Sequence, residues 1–413
     1  MASPQRGAPC ASKGIARWRV AAGGRILLQS LKEAAKCGYP QTARAMADSH
    51  GTPGDNAQQE LKRCRDTIDA IDRDLLKLLN ERAKLAQTIG ALKGGGVAYR
   101  PEREAQVLRA LQAENPGPLP NESVAGVFRQ VISACLALEQ RLRIAYLGPP
   151  GTFSHGAVGR HFGDFVHAEP YASIDEVFRA AESGQTDHAV VPVENSTEGA
   201  VGRTLDLMCQ TELNIVGEIK LRIAQHLLSK ATTLTGITRI YSHAQSLAQC
   251  VQWLARNAPA IPRVPVASNA EAARLAAAEA GAAAIAGEAA AAIYGLGVLA
   301  SHVEDEPNNT TRFWVLGRQE VARSGQDETS LVMSAHNRPG AVVSLLEPLA
   351  KHGVSMTRLE SRPARTGLWE YLFFVDVEGH CDDAPLAAAL AELRARAPFL
   401  KLLGSYPAAP VLK

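Results

Sequence analysis

One helical stretch constrains this chain more than any other feature. From Leu61 to Lys93 no proline and no run of glycine intervenes; Gly90 is the one weak helix former. Leu61, Cys64, Ile68, Ile71, Leu75, Leu78, Leu85, Ile89 and Leu92 recur at spacings of three and four, which is a heptad seam. A helix of about thirty residues is about 50 Å long, more than a small domain needs for its own core. Such a seam requires a partner helix, so the chain is expected to dimerise.

Arg82 breaks the seam, standing where an apolar residue belongs, and Arg65 and Lys93 lie one step off the stripe. A cation facing a packed interior is costly unless an anion meets it. Two readings stay open. Arg82 pairs internally with Glu81 or Glu104 and fixes register, or three bases turned to one interior form a pocket for a small polyanion. Gly94-Gly95-Gly96 ends the helix, and Pro101 opens a second one over Glu102–Glu114. A third helix is expected from Ser123 to about Gln140, with Val124, Val127, Phe128, Val131, Cys135 and Leu138 inward and Glu139 bordering that face.

The 413 residues exceed one ordinary core, so two to four domains are expected. A formal net charge of +2 gives no reason to invoke nucleic acid or a membrane surface, and no apolar run is long enough to span a bilayer. Seven scattered cysteines without C-x-x-C fit a reducing, cytoplasmic compartment and give no metal site. The first 45 residues are basic and Ala-rich. They could be read as a transit peptide; we expect instead that Met46 is the working start and that residues 1–56 are a disordered or mis-annotated extension.

From residue 142 to about 320 strands alternate with Ala-rich helices, the pattern of a parallel α/β module. Strands are expected at Arg143–Leu147, His188–Val193, Ile215–Ile219, Arg239–Ser242, Val264–Ala267 and Ala283–Ala286. Ligands in such sheets bind beyond the strands' carboxyl ends. Polar groups gather at those ends: Thr152 and Ser154 in Gly148-Pro149-Pro150-Gly151-Thr152-Phe153-Ser154, then Glu194-Asn195-Ser196, then Ser242-His243 with Gln249 beyond. Singly these read as helix caps; together they outline a polar cleft. After the loop Asp305–Asn309, Thr310-Thr311-Arg312-Phe313 opens a strand and places a hydroxyl beside a cation.

Val321–Glu328 reads as a linker. Beyond it the order is β-α-β-β-α-β over residues 328–408, a ferredoxin-like arrangement. Arg338-Pro339-Gly340-Ala341 opens its first helix, and Glu360-Ser361-Arg362-Pro363 follows a strand.

These motifs carry three resemblances. Residues 57–141, with Arg65, Arg82, Lys93, Arg103, Glu104 and Glu139 in register, resemble the helical chorismate mutase family. The resemblance implies an intertwined dimer, with Arg65 supplied by the neighbouring chain. Arg82 and Arg65 would hold two carboxylates, Lys93 would donate to the ether oxygen, and Glu104 would meet the ring hydroxyl, with Arg103 nearby. No cofactor or metal is needed for a pericyclic rearrangement held in near-attack shape. The family often has Gln where this chain has Glu139. A glutamate donates only when protonated, so mutase activity is expected to fall as pH rises; a mutase silenced by Glu139 is the narrower alternative.

Residues 142–320 resemble the prephenate dehydratase family, with a two-subdomain, periplasmic-binding-protein-like α/β fold. Thr311 would assist the leaving hydroxyl. Asn195, Ser242 and Gln249 would orient Thr311 and the carboxylates, with Thr152 and Arg312 as further substrate contacts. The C-terminal motifs resemble the ACT domain family, implying phenylalanine as effector at Gly340, Ala341, Glu360, Ser361 and Arg362. The order of modules resembles the bacterial bifunctional chorismate mutase–prephenate dehydratases, converting chorismate through prephenate to phenylpyruvate as a homodimer or dimer of dimers. The competing class is a non-catalytic sensor that only captures small anions or amino acids.

Overall fold

A computed structural model describes residues 53–93, 98–335, 338–364 and 371–409. The basic extension and the Gly94-Gly95-Gly96 turn lie outside the described residues, as does Glu370. The chain divides into two compact units, residues 1–74 and 75–413. Among the described residues no helix is long and apolar enough to cross a membrane.

Helix α1 (Pro53–Lys93) realises the seam and begins before Leu61. In the first unit its Leu61, Ile68 and Ile71 are more than half exposed; in the second, Leu78 and Leu85 are too. In the second unit, α2 (Pro101–Glu114) and α3 (Asn121–Glu139) follow. Proline at the start of α2 has its φ preset for a helix and gives up an amide that has no partner there.

The α/β module has two lobes. The first holds β1 (Arg143–Leu147), α4 (Phe153–Phe162), β2 (His167–Tyr171), α5 (Ile174–Glu182), β3 (His188–Asn195), β4 (Gly199–Ala200), α6 (Gly202–Met208) and β5 (Asn214–Arg222). The second holds β6 (His226–Ser229), β7 (Arg239–His243), α7 (Ala244–Ala248), α8 (Val251–Asn257), β8 (Arg263–Val266), α9 (Asn269–Ala278), β9 (Ala282–Ala286), α10 (Glu288–Tyr294) and β10 (Gly297–Ala300). The chain then returns to the first lobe as β11 (Thr310–Gly317). The sheet orders are β2-β1-β3-β11-β5, with β4 beside β3, and β10-β6-β9-β7-β8.

The expectation of parallel sheets is corrected: both are mixed. Strand β11 runs antiparallel to β3 and to β5, because it re-enters from the second lobe. Strands β2, β4, β6 and β10 had no counterpart in the sequence reading. The half-buried, polar segment His167-Ala168-Glu169-Pro170-Tyr171 shows why, since no apolar alternation marks it. In the second lobe, small residues let helix and sheet approach closely: β9 is wholly buried and α9 turns Ala272, Ala273 and Ala276 onto the same core.

The C-terminal module comprises β12 (Asp327–Ser334), α11 (Ala341–Lys351), β13 (Met356–Pro363), β14 (Tyr371–Glu378), α12 (Ala384–Arg396) and β15 (Leu400–Pro407), with sheet order β13-β14-β12-β15. One face packs Leu331, Met333 and Val375 under Leu345 and Leu386 of its helices. The opposite face puts Val332, Phe374, Leu403 and Tyr406 in one core with Ile215, Trp314 and Leu316 of the first lobe. Gly404 is required there, because a Cβ would run into the Ile215 carbonyl. The segment from Val321 to Glu328 is therefore no free tether. The Ser324 amide donates to Asp327 at 2.9 Å, Arg109 of α2 donates to the Ser324 carbonyl, and His380 Nε2 donates to the Val321 carbonyl at 2.8 Å.

Candidate active site

Strand pairing decides the dehydratase-like site. Thr311 and Asn195 are Cα partners at the ends of β11 and β3, half-buried at the edge where the chain crosses between lobes. Asn195 Nδ2 donates to Thr311 Oγ1 at 2.9 Å and to Asn309 Oδ1 at 2.8 Å. Asn309 Nδ2 donates to Gln249 Oε1 at 3.0 Å, and Gln249 Nε2 donates to Thr197 Oγ1 at 3.3 Å. Thr197 closes the ring by donating to Asn195 Oδ1 at 2.6 Å. Gln249 belongs to the second lobe, so this amide ring spans both lobes. It leaves Thr311 as acceptor from Asn195, and among the described residues its own hydroxyl proton is donated to no group. Accepting one hydrogen bond strengthens a hydroxyl as donor to the next.

Asn309 and Thr197 were missed in the sequence. Each sits in a polar loop where asparagine and threonine are commonplace turn formers, so only three-dimensional closure singles them out. The second loop across the cleft is the Gly148–Ser154 segment. Tyr294 of α10 donates its hydroxyl to the Pro150 carbonyl at 3.0 Å, and Gly151, at φ +91°, lies against Ala290 and the Tyr294 ring. In the same loop the Gly151 amide donates to His155 Nδ1 at 3.2 Å, and His155 stacks on Tyr146. Burial lowers the pKa of His155 and pushes Tyr146 up to about 12.

Three expected substrate contacts are placed elsewhere. Ser242 is fully buried and donates toward the Ile285 carbonyl and Asn269, tying β7 to β9 rather than facing the cleft. The Thr152 hydroxyl caps α4, accepting from the His155 amide at 3.4 Å and donating to the Leu147 carbonyl at 3.0 Å. Arg312 is the clearest correction. Successive residues of a strand face opposite sides, so Arg312 shares the face of Trp314 and Leu316, against the C-terminal sheet. Its guanidinium meets Glu218, Asp376 and Tyr406, with Glu328 3.9 Å away. Burial alone would lower the Arg312 pKa, but Tyr406, Asp376 and Glu218 raise it overall. Burial and Glu218 raise that of Glu328.

In the helical module, Arg65 lies on the exposed first half of α1 in the first unit. In the second unit Arg82 is half-buried and Arg103 exposed. Lys93 Nζ lies 3.7 Å from Glu139 Oε1, and Glu139 crosses α1 over Gly90, where a Cβ would fall 2.5 Å from its Cγ. That explains a glycine inside the helix. Glu104 lies 3.5 Å from Arg129 Nε, so Arg129, unremarked in the sequence, is its partner. Burial raises the Glu104 pKa to about 7 against the opposing pull of Arg129.

In the C-terminal module Gly340, at φ +77°, caps α11 ahead of Ala341. Along β13 Glu360 and Arg362 face inward and Ser361 outward. Arg362 is committed to Asp206 at 3.1 Å and lies on Gly202 of α6, so it ties the modules together instead of being free for a ligand. Among the described residues, His380, Cys381 and Asp382 place metal-ligating atoms together. Both His380 nitrogens are used, however: Nε2 by Val321 and Nδ1 by the Asp382 amide at 3.2 Å.

Family models match this chain in order: chorismate mutase type II over residues 64–140, prephenate dehydratase over 144–321 and an ACT domain over 329–395. A bifunctional chorismate mutase/prephenate dehydratase of Neisseria gonorrhoeae is 56% identical over 348 residues, covering 84% of this chain and 96% of the relative. The structure of prephenate dehydratase in complex with L-Phe from Arthrobacter aurescens aligns with a TM-score of 0.60 at 34% identity, covering 66% of this chain and 92% of that one. GqqA, described as a novel type of quorum quenching acylase, aligns with a TM-score of 0.60 at 32% identity, covering 65% and 98%. The chain belongs to the bifunctional chorismate mutase/prephenate dehydratase family, joining an isomerase and a lyase to an ACT regulatory domain.

Proposed function

We propose that the helical module rearranges chorismate to prephenate and that Thr311 then assists its conversion to phenylpyruvate. In the second step carbon dioxide and the ring hydroxyl leave together, and aromatisation drives the reaction. The enzyme's task is to protonate or hold the departing hydroxyl. The observation that carries this reading is the 2.9 Å hydrogen bond from Asn195 to Thr311, fixed by the amide ring between lobes. A sensor that merely captured an anion would need no hydroxyl so oriented. An acylase reading needs a base to activate the nucleophile. Among the described residues, the side chains in the hydrogen-bonded ring at Thr311 are amides and hydroxyls, which take up no proton at neutral pH.

For the mutase, Arg82 and Lys93 supply cations to the substrate, with Glu139 beside Lys93 and Arg65 contributed by a second copy. The exposed seam supports that assembly, as does an open apolar groove of about 730 Å³ lined by Leu76, Leu79, Ala83, Val131, Cys135 and Leu138. Phenylalanine is the effector, read by the Gly340–Ala341 turn and by Glu360 and Ser361. The described cysteines are all free thiols, which suits a reducing cytoplasm. The test is to feed chorismate to pure protein and follow prephenate and phenylpyruvate, with and without phenylalanine. Failure to form phenylpyruvate from supplied prephenate would overturn the dehydratase reading.

A further inference from the structure

We propose that Arg358 is a positioning residue for dehydration, through which the ACT strand β13 sets the catalytic end of β3. Arg358 Nε lies 3.2 Å from Glu194 Oε2. Glu194 immediately precedes Asn195, the donor to Thr311, and pairs across the sheet with Arg312. The same inward face of β13 carries Glu360, two residues further on. One chain link therefore separates the Arg358 contact from the group that orients Thr311, and one strand repeat separates it from the proposed effector motif.

The Arg358–Glu194 pair is half made. The Arg358 side chain is 13% exposed, and among the described residues its buried Nη2 has no hydrogen-bond partner. An orphaned buried donor is costly, so this guanidinium favours any rearrangement that supplies a second acceptor. Captured effector on β13, or a Glu360 carboxylate turned by it, offers one. Moving the guanidinium toward that acceptor withdraws it from Glu194 and loosens the end of β3. Asn195 then no longer holds Thr311 in its donating orientation, and dehydration slows. The contact gives the proposed coupling named partners rather than a route inferred from distance.

This inference rests on the proposed roles of Thr311 and phenylalanine, and its test separates them. Dehydratase kcat and KM, mutase activity and phenylalanine binding are measured for Arg358→Gln, Glu194→Gln, the double variant and Arg358→Lys. Each Gln variant is expected to lose about tenfold in kcat with little change in KM, and the double variant to lose no more than either single one. Phenylalanine should still bind both but no longer lower the remaining activity. Arg358→Lys, which keeps the cation, should restore part of kcat. Unchanged mutase activity reports an intact fold. Additive losses, or full inhibition by phenylalanine in Arg358→Gln, would overturn the proposal. A wild type that phenylalanine neither binds nor inhibits would sink the effector reading alone, leaving the kcat comparison to judge the positioning role.

Discussion

Replacing Arg312 by methionine separates a substrate ligand from an internal tie. The Arg312 side chain is 9% exposed, and its guanidinium faces carboxylates of Glu218, Asp376 and Glu328, whose side chains are 0%, 5% and 10% exposed. Lys220, 3.1 Å from Glu218 and one-third exposed, would remain as a cation beside Glu218. Removing one partner of a buried ionic cluster costs about 3–5 kcal/mol, because the abandoned charges stay desolvated. We expect Arg312→Met to lower the unfolding free energy read from urea titration by that amount, a large fraction of the about 5–15 kcal/mol of a typical domain. Adding Asp376→Asn should recover part of the loss, since one stranded anion is then neutral. Residual folded enzyme should show nearly unchanged KM for prephenate. Unaltered unfolding with a many-fold rise in KM would refute the argument and return Arg312 to the cleft.

Three further outcomes follow from the geometry. Thr311→Val, which keeps the shape and removes the hydroxyl, should cut dehydratase kcat by about 10²–10⁴-fold while prephenate formation from chorismate persists; Thr311→Ser should keep most of it. The Glu104 pKa of about 7, against an ordinary 4.5, means the folded state holds its proton more tightly. Stability from this group is present at acid pH, is lost between about 4.5 and 7, and is flat above; the loss is at most about 3 kcal/mol, and Glu104→Gln should remove that slope from urea titrations. Glu139→Gln, which keeps the shape beside Lys93 and removes the charge, should change mutase kcat while leaving dehydration intact, and an unchanged mutase kcat would remove Glu139 from the chemistry.

The sequence by itself determined whatever depends on local pattern. The heptad seam, the proline that starts α2, the glycine-ended turns and the β-α-β-β-α-β order are periodicities and breaks that any fold must respect. Thr311 and Asn195 were legible as polar groups at strand ends. Tertiary structure decided their pairing, because register between strands more than a hundred residues apart is fixed by the core and by the return of β11 through the second lobe. It also chose which side of a strand each polar residue serves. Thr311 and Arg312 are neighbours in the chain, yet pleating sends one to the cleft and the other to the buried cluster under the C-terminal sheet. Asn309, Thr197, Arg129 and Arg358 carried no local signal, since their roles exist only through partners brought from distant segments.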